Sequence, residues 1–156
     1  MSRTENRKRL CLALLCLNLI FIWGNSLMPG EISRQISQWV GDLLGGLLGR
    51  TEIQTEGGHG LLRKLAHVTE FACLGVLLYW HLTMAGKGGF PLAAQTLLGG
   101  FTAACIDETI QIFAVDRGPG LLDVLIDTGG TAAGMIFAII GYALIRKIHG
   151  KKQSGG

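Results

Sequence analysis

The chain has no glycine-rich phosphate loop, no nucleophile elbow and no pair of cysteines at metal-binding spacing. The first absence excludes P-loop nucleotide chemistry, and the second excludes an elbow serine. Its four cysteines, Cys11, Cys16, Cys73 and Cys105, are scattered over apolar stretches. They read as small buried residues, not as a disulfide framework or a zinc site. Charge is scarce too: only 16% of the 156 residues are Asp, Glu, Lys or Arg, against 49% hydrophobic. That balance places the chain among integral membrane proteins of one domain, with partners in the membrane and not among nucleic acids.

What the chain does have is four stretches nearly free of charge, each close to the roughly 20 residues that cross a bilayer. They run over residues 10–28, 65–85, 90–114 and 124–145, inside a single domain of residues 1–150 followed by a polar tail at 151–156. The expected fold class is therefore an all-α integral membrane protein built as a four-helix transmembrane bundle. Glycine, at 24 residues, suits close helix packing in a membrane, with Gly99, Gly100, Gly129, Gly130, Gly134 and Gly141 as expected contact points. The first stretch has the basic flank of a signal peptide. Its length and the poor cleavage site at Leu27-Met28-Pro29-Gly30 favour a retained helix.

Basic residues set the expected orientation. With four crossings, Arg3, Arg7, Lys8, Arg9, Lys87, Arg146, Lys147, Lys151 and Lys152 share one side, and Arg34, Arg50, Arg63, Lys64 and Arg117 share the other. Nine against five puts both termini in the cytoplasm of a multi-pass protein of the bacterial cytoplasmic membrane. Within the first extracytoplasmic loop, Ile32, Ile36, Trp39, Val40, Leu43, Leu44, Leu47 and Leu48 recur at helical spacing. They predict an amphipathic surface helix over about 31–49 that roofs what lies beneath. Thr51 to Gly60, polar and glycine-rich, reads as a flexible connection.

What would lie beneath is a cluster of residues that a bilayer penalises. His67 and Glu70 stand at the start of the second stretch, and Asp107, Glu108 and Gln111 near the end of the third. Arg117, Asp123 and Asp127 lead into the fourth. Each ionisable group in a span costs about 2.5–3.5 kcal/mol on insertion scales, so several at one depth mark a functional site. Spacings of three or four residues put each group on one helix face. Four crossings bring all three groups to the outer leaflet, with Arg117 held over the mouth by the Gly118-Pro119-Gly120 turn. Asp123 has a plainer role open to it, capping the last helix. A plainer account of the whole cluster is an ion-pair network locking the helices. Glu70, Asp107, Glu108, Asp123 and Asp127 nevertheless outnumber Arg63, Lys64 and Arg117, and surplus buried acid must be protonated, bind a cation or meet a cationic ligand.

The run Arg63-Lys64-Leu65-Ala66-His67-Val68-Thr69-Glu70-Phe71-Ala72-Cys73-Leu74-Gly75 resembles the K-x-x-H-x-x-E-[FY]-x-x-L-G stretch of the VanZ-like family. Asp107-Glu108-Thr109-Ile110-Gln111-Ile112-Phe113 with Arg117, and Asp123 with Asp127-Thr128-Gly129-Gly130, are similar to that family's later acidic segments. Asn25-Ser26-Leu27-Met28-Pro29 resembles its serine-bearing exit from the first helix. The resemblance covers about residues 10–145. One departure is Val115-Asp116 before Arg117, where a Pro-Gly pair is more usual. The resemblance implies a small bacterial membrane protein of the cell envelope, in a family whose founding member is tied to teicoplanin resistance. It implies no reaction.

Two functions of different class fit these residues. One is a binder of a lipid headgroup, a lipid-linked cell-wall precursor or a lipophilic antibiotic, using Lys64, Gln111, Arg117, Asp123 and Asp127. Here Arg117 pairs with a phosphate or carboxylate. The other is a membrane-embedded hydrolase or transferase using His67, Glu70, Asp107 and Glu108. These would act as general acid and base, or His67, Glu70 and Asp107 would ligate a divalent metal ion that activates water. The lack of an evident nucleophile favours the binder. A transporter fits less well, because four short spans form a narrow bundle and the polar residues stop at one leaflet.

Overall fold

The computed structural model describes residues 2–49 and 56–153. The described residues form five helices and no strands: α1 (Arg3–Leu27), α2 (Gly30–Leu48), α3 (Glu56–Met84), α4 (Gly89–Gln111) and α5 (Leu121–Gln153). Three stretches among them are long and apolar enough to cross a membrane: Arg3–Leu27, Gly89–Gln111 and Leu121–Lys147. Of the four expected spans these cover three; the second, over residues 65–85, lies in α3 and is not among them. α3 falls short on composition, because its N-terminal half carries Arg63, Lys64, His67 and Glu70. Position compensates for that polarity: α3 touches all four other helices.

Several boundaries move. α1 begins at Arg3, where Ser2 caps it by accepting from the Glu5 amide at 3.3 Å, so the basic N-terminus is helical. α3 starts at Glu56, so Gly57, Gly58 and Gly60 are helical and not part of a loose connection. Residues 51–55 of that connection and Arg50 lie outside the described residues. α5 runs on to Gln153, which makes Lys151 and Lys152 the end of a helix. The last three residues of the expected tail also lie outside.

The bundle is inside-out relative to a soluble protein. On α4 the buried stripe is Leu92, Thr96, Gly100, Ala103, Ala104, Asp107, Glu108 and Gln111, whereas Leu98, Phe101 and Ile106 are exposed. A lipid solvent accepts large apolar side chains and leaves small and polar ones to pack inside. Ile22, Phe71, Leu74, Ala104 and Val124 join four helices in one core.

Helix spacing is set by residues without side chains. A Cβ on Gly134 would collide with the Ala72 carbonyl, and one on Gly75 would collide with the Thr131 carbonyl. At Gly130 it would lie 2.8 Å from the Val68 carbonyl oxygen and 3.2 Å from the Phe71 Cβ. α3 and α5 therefore meet backbone to backbone from Val68 to Gly75 on one helix and from Gly130 to Gly134 on the other. Gly100 abuts Thr131, and Gly99 faces the Leu78 side chain. Gly129 and Gly141 meet nothing within 4 Å, so these two expected contacts are absent: each faces away from the neighbouring helices.

α2 forms despite its glycines. Gly30, Gly41 and Gly45 are buried, while Ile32, Ile36, Trp39, Leu43 and Leu47 are exposed along the opposite side. Its start is tied to the α4–α5 turn, where the Gly30 amide donates to the Val115 carbonyl at 2.9 Å. Gly30 also abuts the carbonyl of Asp116, leaving no room for a Cβ. Asp116 itself has a φ of 57°, the left-handed region that glycine enters without cost. Aspartate is among the few residues other than glycine that tolerate it.

Candidate functional site

Each helix end contributes to one polar centre. From α3, one turn apart, come His67 and Glu70; from α4, also one turn apart, come Asp107 and Gln111. The first two turns of α5 supply Asp123 and Asp127. Asp107 is 0% exposed and Asp127 2%, and Glu70, Glu108 and Gln111 are buried as well. The convergence expected from topology is present in the geometry.

Asp107 and Asp127 face His67 from opposite helices. The His67 Nδ1 atom lies 4.0 Å from Asp107 Oδ2 and 4.0 Å from Asp127 Oδ2. One ligand-type atom from each of the three residues falls within 4.8 Å of the others. Glu70, expected in that set, stands apart from it: its Oε1 accepts from the Asn25 side-chain amide at 2.8 Å. Asp127 takes its place in the trio. Gln111 donates to Asp107 Oδ2 at 3.0 Å and reaches the buried Ser26 hydroxyl at 3.3 Å.

Glu108 has a structural partner. Its Oε2 accepts from the Gly120 amide at 2.7 Å, fastening the turn that starts α5. Asp123 lies two residues inside α5, and its own amide donates to the Gly120 carbonyl, so its place is the first turn and not the cap. The α5 start is held by an acid from α4 instead.

The cations keep a distance. Among the described residues no Lys or Arg nitrogen lies within 4.0 Å of a carboxylate of Glu70, Asp107, Glu108, Asp123 or Asp127; a close arginine pair, Arg34–Glu31 at 2.8 Å, lies on α2 instead. That surface pair, helped by Gln35, holds the Glu31 carboxyl below its usual range. An ion-pair lock built on lysine or arginine requires close pairs at the cluster, and among the described residues there are none. Arg117 hangs from the α4–α5 turn with a buried Nε that has no hydrogen-bond partner. Burial first, then the nearby Arg63 guanidinium, lower the Arg117 pKa, with Asp107, Glu108 and Glu70 opposing. It stays charged, since arginine is not deprotonated in proteins.

Two spaces meet at these residues. A cavity of about 120 Å³ is lined by Arg63, Lys64, His67, Glu108, Gln111, Asp116, Arg117, Gly118, Asp123, Ile126 and Asp127. Its walls carry a cationic set, Arg63, Lys64 and Arg117, and an acidic set, Glu108, Asp116, Asp123 and Asp127. A second space of about 140 Å³ lies between α1, α2 and α3. Met28, Ile36, Val40, Leu62 and Ala66 make it largely apolar, and it shares Arg63, His67 and Arg117 with the first. Every sequence-derived site residue lines the first space except Glu70 and Asp107, which are buried among their helix neighbours.

Asn25 and Ser26 are the members that sequence reasoning missed. Neither ionises, so neither drew notice by cost. Two signals were available, the resemblance of Asn25-Ser26-Leu27-Met28-Pro29 to the family's exit from the first helix and position, because both residues lie within one turn of the end of α1, at the level where the other polar ends converge.

No curated protein and no solved structure matches the chain. A family model described as VanZ/LLP1 matches residues 4–145. It spans the helices, the turn and every polar residue of the cluster, and the chain belongs to the VanZ/LLP1 family.

Proposed function

We propose that this protein binds the anionic headgroup of a membrane lipid or lipid-linked cell-wall precursor at the outer leaflet of the bacterial cytoplasmic membrane. The observation that carries this reading is the pairing of a polar cavity with an apolar groove through three shared residues, Arg63, His67 and Arg117. A phosphate between the two guanidinium groups relieves their mutual repulsion and can be held by forked hydrogen bonds. The attached chain then lies along Met28, Ile36 and Val40, under α2. In this arrangement α3 is a fourth crossing, since its 29 residues span about 43 Å at 1.5 Å per residue. The exposed apolar side of α2 rests in the interface, and both termini lie in the cytoplasm. Protection against a lipophilic glycopeptide such as teicoplanin follows if the same groove receives its acyl chain.

Binding by the detergent-solubilised protein tests this. Phosphatidylglycerol and a polyprenyl phosphate should bind more tightly than phosphatidylcholine. Arg117→Gln should weaken the first two by about tenfold, a loss of roughly 1.4 kcal/mol and near the lower end for hydrogen bonds to charged groups. Equal affinity for all three lipids, unchanged in Arg117→Gln, refutes the reading. A reporter fused after Ile145 should be active only in a cytoplasmic format.

A second reading has its own support. His67 between Asp107 and Asp127, beside the proposed headgroup site, suits a hydrolase or transferase in which the histidine moves a proton at the phosphate. Release of headgroup from a radiolabelled lipid, lost in His67→Gln, distinguishes it from binding alone.

A further inference from the structure

We propose that His67, Asp107 and Asp127 form a seat for one divalent cation of the Zn²⁺ or Mn²⁺ type, each ligand supplied by a different helix. This inference does not rest on what occupies the neighbouring cavity. Three observations carry it. The first is convergence: one donor atom from each residue lies within 4.8 Å of the other two, although the residues are separated by up to 60 positions in the chain. The second is unsatisfied valence. Asp107 is fully buried and its Oδ1 has no hydrogen-bond partner, and the same is true of the buried His67 Nδ1. A buried carboxylate oxygen without a donor is costly, so it is retained where something else meets it.

The third observation is charge. No Lys or Arg nitrogen approaches Asp107 or Asp127 within 4.0 Å, so two acids share one enclosed site with only an imidazole between them. A doubly charged ion neutralises that pair. The ligand chemistry narrows the class, because one imidazole with two carboxylates suits zinc and manganese better than calcium or magnesium, which favour all-oxygen shells. At ligand bonds of about 2.0–2.2 Å the donors must draw in, His67 from 4.0 Å to each aspartate by somewhat under an ångström, and the two aspartates from a spacing within 4.8 Å. Small side-chain rotations suffice for that. Gln111 supplies the outer support that ligating carboxylates usually have, donating to Asp107 Oδ2 while anchored on Ser26.

The test uses the full-length protein purified in detergent without chelator. Elemental analysis should find about one zinc or manganese per chain, removable by chelator. Returning Zn²⁺ or Mn²⁺ should restore the ion and raise the thermal midpoint, as expected for a ligand bound only to the folded state. Asp127→Asn and His67→Gln, near in size to the originals, should weaken metal binding by at least about tenfold. Glu70→Gln and Glu108→Gln should leave stoichiometry unchanged, since their partners are Asn25 and the Gly120 amide. The visible absorption of Co²⁺-loaded protein reports the ligand set in variants whose stability also changes, and it should be lost in Asp127→Asn with helicity retained. Failure of the stripped protein to take up any of Zn²⁺, Mn²⁺, Mg²⁺ or Ca²⁺ overturns the proposal. So does retention of the metal in Asp127→Asn, or its loss in Glu70→Gln alone.

Discussion

Gly129 and Gly130 are consecutive, yet alanine at the two positions should have opposite effects. At Gly129 a Cβ meets nothing within 4 Å, so Gly129→Ala gains helix propensity and nothing else. That gain is worth about 0.5–1 kcal/mol in water and is at most that in a membrane. At Gly130 the same methyl lands 2.8 Å from the Val68 carbonyl oxygen and 3.2 Å from Phe71 Cβ. Both are parts of α3 that cannot rotate away, so α3 and α5 must separate. Overpacking of this kind costs about 1–3 kcal/mol. The propensity gain is common to both alanines, so the two variants should differ by the overpacking cost alone, roughly 1–3 kcal/mol, or on the order of 5- to 150-fold in the ratio of folded to unfolded protein. Unfolding in mixed micelles, followed by helicity and tryptophan fluorescence, measures the difference. Function should register it too: Gly130 lies one turn from Asp127, and Val68 adjoins His67. Widening here stretches the 4.0 Å His67–Asp127 approach. If the two variants have equal stability within about 0.5 kcal/mol, backbone contact does not set the α3–α5 spacing.

A double-mutant cycle on Asn25→Ala and Glu70→Ala should return a coupling of about 0.6 kcal/mol and no more than about 1.7, typical of polar contacts between membrane helices; zero coupling in the same unfolding assay denies the 2.8 Å bond any energetic role. At Asp116, with its φ of 57°, glycine should be close to neutral, whereas Asp116→Val should lower stability by about 1–2 kcal/mol, because a branched side chain resists the left-handed region; equal midpoints for the two would show that the turn relaxes freely. Gly134→Leu should reduce the amount of protein in the membrane far more than Glu70→Gln does, as quantified by immunoblot, since only the first forces a side chain into the Ala72 backbone.

Much of this architecture was legible because a membrane makes some errors expensive. His67, Glu70, Asp107 and Asp127 stand out in apolar runs, and helical spacing alone put each pair on one face. Their meeting followed from counting crossings. What spacing could not show was who partners whom. Spacing grouped Glu70 with His67 and left Asp127 among the ligand-binding residues, yet Asn25 claims the first and the second faces the imidazole. Small residues were legible in number only. Gly129 and Gly130 differ by the 100° that one residue turns a helix, and sequence does not say which of them faces α3. The α2 glycines argued against a helix by propensity, but Gly30, Gly41 and Gly45 form its buried side. Propensity was outweighed there by packing.

The four buried acids of this site are not interchangeable, and their division follows from the backbone each one meets. Glu108 sits where the α4 end overhangs the start of α5, and a free amide at Gly120 takes its charge. Glu70 points toward the last turn of α1, where Asn25 offers a side-chain donor. Both acids therefore fasten helix ends. Asp107 and Asp127 have shorter side chains on the two helices that flank α3, and their Oδ2 atoms are each 4.0 Å from His67. Lengthening either one would carry its carboxylate past the histidine. Asp107→Glu and Asp127→Glu keep charge and hydrogen-bonding capacity, so a purely electrostatic role tolerates them. A role that depends on the distance to His67 does not, and these two substitutions should abolish it as fully as Asp→Asn while the protein remains folded in the membrane. Retained lipid or metal binding in both glutamate variants would mean that charge, not reach, defines the centre.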